Sequence, residues 1–184
     1  MRRAEALTAL IAALALGVAG AGAAQSGAMV TGPVVYGYPY AAKCPGAGIA
    51  DVVDRWGMYA CNCTSYVAWA LVANGQRIGW FDPGAMDAWN WPHVARLAGL
   101  RTDARPTMGS VAVWPKLARP FGHVAYVTRV RPDGTIDVAE YNFPGAGGAE
   151  TFVFDVRTSI ATAGAVFIHV PPRLSAGRAG GRLP

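Results

Sequence analysis

The sequence contains no cluster of basic residues that would form a face for nucleic acids. Its 16 Lys and Arg residues outnumber the 11 Asp and Glu residues, but they are almost all Arg and are scattered along the chain. Domains that bind nucleic acids concentrate these residues on one face, together with aromatic side chains. We therefore expect no nucleic-acid partner.

The chain also has little with which to hold a metal ion. It has only three cysteines, and Cys61 and Cys63 are closer together than the cysteine pairs of zinc sites. The segment DVVD at residues 51–54 lacks the alternating oxygen ligands of a calcium loop. A zinc site built on Cys61, Cys63 and a histidine is an alternative, but we expect no cofactor.

Long apolar runs are absent except near the start of the chain. There, an apolar run over residues 7–18 follows two arginines and precedes the small residues Ala21-Gly22-Ala23. This layout predicts a secretory signal peptide over residues 1–23. A membrane anchor is the alternative, which the run disfavours because it is shorter than the roughly 20 residues that a span needs. We expect a secreted or cell-envelope protein, in the periplasm or the cell wall, with no membrane contact after cleavage.

The length suits one domain, and no internal repeat or second module is visible. We also expect a monomer. Residues 24–35 are small and without periodicity, which predicts a leader, and residues 36–170 form the domain. Residues 171–184 are rich in Gly and Arg and nearly free of large apolar side chains. Such a segment buries too little surface to order itself, which predicts a disordered basic tail.

Apolar periodicity predicts a helix from Asn62 to Asn74, with Asn62 as a good N-cap and Asn74-Gly75 as a stop. A shorter helix is expected over residues 86–97, interrupted at Trp91-Pro92. The second half of the chain consists instead of short runs rich in Val, Ala, Phe and Ile, which predict five strands. These runs are residues 110–114, 123–130, 135–143, 150–156 and 165–170. The expected class is α+β, with N-terminal helices packed on a largely antiparallel sheet of about five strands.

Residues 122–143 have the pattern of a β-hairpin whose turn is Arg131-Pro132-Asp133-Gly134. If Arg131 pairs with Gly134, His123 lies opposite Asn142 and Glu140 is diagonal to His123 on the same face. A longer, bulged turn would shift this register by one residue and separate the three side chains.

Cys63 has the features of a catalytic thiol. It lies in the first turn of the predicted helix, where free N–H groups and the helix dipole favour the thiolate. A thiol hydrolase also needs an imidazole to exchange protons and a polar group to hold that imidazole. Cys63, His123, Glu140 and Asn142 supply these groups, whereas Cys61 precedes the helix and lies off its apolar face.

Several segments resemble, in order and spacing, the CHAP family of cysteine, histidine-dependent amidohydrolases and peptidases. They are YPYAAKC, DRWGMYACNCTSYVAWAL, WNWPHVARLAGL, MGSVAVW, GHVAYVTRV and DVAEYNF, which together extend over about residues 36–170. The resemblance implies a papain-like fold and cleavage of amide bonds in peptidoglycan stem peptides or cross-bridges. It implies Cys63 as nucleophile, His123 as general base, Glu140 as the acidic residue that orients the histidine, and Asn142 as a further polar partner.

The odd number of cysteines predicts one disulfide and one free thiol. A bond between Cys61 and Cys63 would close a very tight ring, and Cys63 holds the position suited to a thiolate. We therefore expect a Cys44–Cys61 bond, with three reduced cysteines as the alternative. Two other functions also stay open: a secreted wall-binding module without turnover, and a cysteine peptidase or transpeptidase that acts on another substrate.

Overall fold

The structure is a computed structural model that describes residues 32–44, 51–80 and 87–173. The predicted signal peptide (1–23), residues 24–31 of the predicted leader and residues 174–184 of the predicted tail lie outside the described residues. The helices are α1 (Cys63–Ala73) and α2 (Trp91–Leu97), and the strands are β1 (Arg101–Asp103), β2 (Val111–Trp114), β3 (His123–Val130), β4 (Ile136–Tyr141), β5 (Phe154–Ile160) and β6 (Val166–His169). No helix in the described ranges has the length and apolar character needed to cross a bilayer.

Helix α1 begins and ends where the sequence predicts. Asn62 has extended backbone angles at the N-cap, and the backbone N–H of Asn74 closes the last turn on the carbonyl of Ala70. The side chain of Asn62 makes no capping bond to the helix, however. Asn74 also joins the helix to the end of the predicted leader, because it accepts a hydrogen bond from the N–H of Val34 and donates one to its carbonyl.

The second helix is shorter than predicted. A 3₁₀ turn over Ala88–Asn90 leads into α2, and Pro92 lies in the first turn of that helix instead of interrupting it. Proline is tolerated there because the first-turn N–H groups have no intrahelical acceptor in any case.

The sheet confirms the α+β class but has six strands, in the order β1-β6-β2-β3-β4-β5, and every paired strand is antiparallel. The additional strand is β1, a three-residue edge strand that pairs with β6. Strand β5 begins four residues later than predicted and continues to Ile160.

The β3–β4 hairpin contains two departures from the predicted pairing that cancel each other. Arg131 pairs with Thr135 instead of Gly134, which leaves a three-residue loop with Gly134 at a φ of +83°. A bulge between Val127 and Arg129 then takes up the extra residue. Beyond the bulge Val127 faces Val138, which is the register that the sequence predicts for the end of the hairpin that carries His123 and Glu140.

Both helices lie on one face of the sheet. Tyr66 and Leu71 of α1 and Trp91 of α2 form one buried cluster with the side chains that point to that face of the strands, among them Val124 and Tyr126. The alternate strand residues form a second cluster on the opposite face, around Val127, Val138 and Phe167. Helix α1 packs mainly on β3 and β4. Its first residue, Cys63, lines the same cleft as His123 at the start of β3.

Candidate active site

Cys63 is the first residue of α1, is half-buried and is the free cysteine of the chain. The chain reaches it through Cys61, which has a φ of +64° and a side chain bonded to Cys44. A left-handed conformation is uncommon for a residue other than glycine and persists only where the surroundings hold it. The Cys44–Cys61 disulfide, which the sequence predicts, is therefore one of the restraints that hold Cys61 in the conformation that leads into α1.

A buried polar chain supplies a second restraint on the same turn. The backbone N–H of Cys61 donates to the hydroxyl of Tyr38 at 3.0 Å, and that hydroxyl lies 2.5 Å from Oγ of Ser65 on α1. Ser65 donates to Asp54. Since the Ser65 proton goes to the carboxylate, Tyr38 donates to Ser65. Burial raises the pKa of Tyr38 to about 12, so its hydroxyl keeps the proton that this chain needs.

His123 begins β3 and follows Gly122 at a position where only glycine fits. A Cβ atom on Gly122 would lie 2.5 Å from the backbone nitrogen of Trp89, and its φ is +76°. The neighbouring carbonyl of Phe121 accepts a hydrogen bond from the same Trp89 nitrogen at 3.0 Å. This contact between the 3₁₀ turn and the start of β3 fixes the point from which the imidazole projects.

The imidazole of His123 is buried against Glu140. The two side chains are 1% and 0% exposed, and Nε2 of His123 lies 2.6 Å from Oε2 of Glu140. A carboxylate can only accept, so Nε2 carries a proton and donates it, which leaves Nδ1 as the other proton-exchanging atom of the ring. Burial lowers the pKa of His123, but interaction with Cys63 and then with Glu140 outweighs it and raises this pKa to about 9.

Glu140 has a second cationic partner that the sequence did not indicate. Arg157 on β5 donates from Nε to Oε1 of Glu140 and from Nη2 to Oε2 at 3.1 Å. Burial raises the pKa of Glu140, but the hydrogen bonds from His123 and Arg157 outweigh it, so the pKa lies below its ordinary value. The carboxyl is thereby held ionised although it is fully buried.

Asn142 lies beside the site but is not joined to the imidazole. Within the described residues its side chain donates to Oδ1 of Asn62 at 2.7 Å and accepts from the N–H groups of Thr151 and Phe152. Its φ of +54° turns its side chain out of the alternation along β4, which is why a position two residues after Glu140 does not reach His123. The bond to Asn62 instead links the end of β4 to the residue before Cys63.

A cleft of about 410 Å³ opens over these residues. Cys63, His123 and Asn142 line it, whereas Glu140 and Arg157 lie behind the imidazole. The remaining wall is mixed in character, with three carboxylates, one guanidinium and several aromatic rings. These residues are Asp51, Asp87, Glu150, Arg119, Tyr59, Phe121 and Phe152.

The zinc site considered from the sequence is not formed. The sulfur of Cys61 is bonded to Cys44 and is not available as a thiolate ligand. In the part of the chain that the structure describes, no group of three His, Cys, Asp or Glu side chains is arranged to hold a metal ion. Of the other two histidines, His169 is hydrogen-bonded to Asp103 and Thr107 on the sheet edge formed by β1 and β6.

Several known proteins are similar to part of this chain. The chain is 38% identical over 96 residues to a probable autolysin of Staphylococcus aureus and 37% identical over 99 residues to an N-acetylmuramoyl-L-alanine amidase of Staphylococcus haemolyticus. These alignments cover 52% and 53% of this chain but only 33% and 27% of the relatives, so this chain spans about a third or less of their length. A crystal structure of an N-acetylmuramoyl-L-alanine amidase from Staphylococcus aureus shares the fold, with a TM-score of 0.51 and 23% identity over 61% of this chain and 31% of that one.

The family model described as the CHAP domain matches residues 53–142, a range that runs from the loop before α1 to the end of the β3–β4 hairpin. The match includes Cys63, His123, Glu140 and Asn142 but neither Cys44 nor Arg157. Residues 53–142 therefore match the CHAP domain family, as the resemblance in the sequence predicts.

Proposed function

We propose that the protein is a secreted cysteine hydrolase that cleaves amide bonds in peptidoglycan stem peptides or cross-bridges. The observation that carries this proposal is a free thiol at a helix N-terminus, next to a buried imidazole whose far nitrogen is held by a carboxylate. The similarity to an amidase and an autolysin supports peptidoglycan as the substrate. We further propose that residues 36–170 form the catalytic domain, that residues 1–23 direct export and are removed, and that the mature protein acts as a monomer in the cell envelope.

The first half of the reaction is acyl transfer to Cys63. The thiolate sulfur attacks the amide carbonyl, and the carbon–nitrogen bond breaks as imidazolium His123 gives its Nδ1 proton to the leaving amine. The products of this half are the free amine and a thioester on Cys63. Backbone N–H groups in the first turn of α1 lack intrahelical acceptors, and they are the donors best placed for the oxyanion.

The second half is hydrolysis of that thioester. His123, now neutral at Nδ1, takes a proton from water as the oxygen attacks the acyl carbon. The carbon–sulfur bond breaks, the carboxylic acid leaves, and Cys63 returns to the thiolate beside imidazolium His123. Through both halves Glu140 accepts from Nε2, which fixes the tautomer and orientation of the ring and stabilises its charged form.

The direct test is digestion of purified peptidoglycan by the mature protein, followed by mass spectrometry of the released fragments. We expect new free amino groups and soluble fragments, because each cleaved amide leaves an amine. An amidase would release stem peptides free of sugar, whereas an endopeptidase would split cross-links and leave the stems on the glycan.

Inhibitors provide the controls for this digestion. Iodoacetamide should stop it and EDTA should not, because the proposed nucleophile is a thiolate and the proposed mechanism uses no metal. Loss of digestion in EDTA that added zinc or calcium restores would overturn the metal-free mechanism. A folded protein whose Cys63 is alkylated readily but which releases no fragment would point to another substrate or to a wall-binding role.

Glu140→Gln should move the alkaline limb of the pH profile of kcat/KM to lower pH by about one unit or more, a usual size for an adjacent charge. Loss of the carboxylate removes a negative charge that favours imidazolium, so the pKa of His123 falls from about 9 and the proton for the leaving amine is lost earlier as pH rises. An alkaline limb that stays in place in a folded Glu140→Gln protein would separate Glu140 from the titration of His123.

A further inference from the structure

Arg157 lies behind the site, on a strand outside the matched family region. It projects from β5, where it pairs with Val138, so it is diagonal to Glu140 on the neighbouring strand. Both of its hydrogen-bonding nitrogens go to the carboxyl of Glu140, one to each oxygen. The Arg157 side chain is 22% exposed, while the carboxyl that it binds is 0% exposed.

The aromatic ring of Phe143 holds the same guanidinium from a second side. The guanidinium carbon of Arg157, Cζ, lies 3.6 Å from the centroid of the Phe143 ring, within the range of a cation–π contact. Phe143 also meets the His123 ring edge to face at 5.4 Å. Phe143 therefore packs against both the cation and the imidazole, and Arg157 is fixed by a carboxylate on one side and a ring face on the other.

We propose that Arg157 is a positioning residue for the hydrolase reaction, acting on His123 only through Glu140. Its guanidinium donates one hydrogen bond to Oε1 and one to Oε2 of Glu140. These two bonds set the plane of the carboxyl so that Oε2 also accepts from Nε2 of His123. It also supplies the positive charge that a fully buried carboxylate needs in order to stay ionised. This inference rests on the proposed function of Cys63 and His123.

The charged and titratable groups around Glu140 come from three elements and from the wall of the cleft. Cys63 and Tyr66 belong to α1, His123 to β3, and Arg157 to β5, and Asp155 on β5 is exposed and directly opposite Glu140 in the register. Arg119, Asp87 and Glu150 lie on the wall of the cleft. Of all these groups, Arg157 is the one that forms two hydrogen bonds to the carboxyl.

Removal of Arg157 should therefore act at the acidic end of the pH range. Without the guanidinium the buried Glu140 carboxyl takes up a proton at higher pH, because burial by itself raises its pKa. Protonated Glu140 no longer supports the imidazolium that keeps Cys63 in its reactive thiolate form. The pH below which Cys63 stops reacting should move upward.

The experiment measures the rate of Cys63 alkylation by iodoacetamide against pH, in the wild-type protein and in Arg157→Gln. This readout needs no peptidoglycan, so it distinguishes a failure of the inference from a failure of the proposed substrate. We expect the acidic midpoint to rise by about one pH unit, a usual size for the loss of an adjacent opposite charge. In a Glu140→Gln background the same Arg157→Gln change should give less than about half of that shift, because no carboxyl is left to protonate.

Two further variants separate positioning from stability. Arg131→Gln is the matched control, since Arg131 forms an equivalent two-bond pair with Asp137, on the same strand as Glu140. It should leave the alkylation midpoint unchanged. Arg157→Lys keeps the charge without the fork, so it should keep the wild-type midpoint while lowering kcat/KM on peptidoglycan. An unshifted midpoint in folded Arg157→Gln would overturn the proposal, and so would an equal shift in the wild-type and Glu140→Gln backgrounds. If Arg157→Gln fails to fold, Arg157→Lys provides the test, and an unchanged kcat/KM in that variant would overturn the positioning role.

Discussion

Replacing either Cys63 or His123 with alanine is expected to lower the rate of peptidoglycan hydrolysis by at least about 10³-fold, as for other groups that act as a unit. Without the sulfur no thioester forms, and without the imidazole neither the leaving amine nor the attacking water exchanges its proton. The double variant should be little worse than either single variant, because each change removes the same covalent route. The measurement is the initial rate of release of new amino groups from purified peptidoglycan.

The control for this loss is a histidine outside the cleft. His93 lies on the exposed face of α2, and His93→Ala should retain the wild-type rate. Each variant must also be shown to be folded, because His123 is buried and its removal leaves Glu140 with Arg157 as its remaining charged partner. Full activity in a folded Cys63→Ala protein would refute the assignment of the nucleophile.

The local part of the site can be predicted from the sequence because it depends on short-range rules. Three-and-four periodicity and the stop at Asn74-Gly75 predict the extent of α1, which puts Cys63 in its first turn, although the side chain of Asn62 makes no capping bond. The register between β3 and β4 is also correct near the site, but for a reason that the sequence did not reveal. The loop is one residue longer than predicted, and the bulge at Thr128 compensates for it.

The missed part of the site depends on contacts between distant strands. Arg157 lies in a strand whose predicted bounds ended at residue 156, and its partner was set by the β4–β5 register, which itself contains a shift. Asn142 was predicted only as a further polar partner, and its hydrogen bond to Asn62 follows from the left-handed conformation of that residue. Neither outcome follows from local patterning, because both depend on where the chain turns after β4.

Cys61 and Cys63 have different structural roles, since the first is in a disulfide and the second is a free thiol. Cys61 stabilises the loop before α1, because its side chain forms a disulfide with Cys44 and its N–H donates a hydrogen bond to the hydroxyl of Tyr38. Cys63 is left free at the helix start, next to Asn62, whose side chain binds Asn142 instead of capping α1. The residue between the two cysteines thus joins the loop that precedes the helix to the end of the hairpin that carries Glu140.

Removal of the Cys44–Cys61 bond should lower the free energy of unfolding by about 3 kcal/mol, because the bond closes a loop with a sequence separation of 17. The Cys44→Ala, Cys61→Ala double variant tests this by denaturant unfolding, and wild-type protein unfolded in reductant should lose a similar amount. Activity should also fall, since the bond and the hydroxyl of Tyr38 together hold Cys61 at its positive φ before Cys63. Tyr38→Phe is the matched control, because it removes only the hydroxyl and leaves the covalent loop closed.

Alkylation of the unreduced wild-type protein, followed by peptide mapping, checks the pairing itself. We expect label on Cys63 and a linked peptide pair that contains Cys44 and Cys61. Label on Cys61 with Cys63 in a disulfide would contradict both the pairing and the proposed nucleophile, and label on all three would show that the cysteines are reduced.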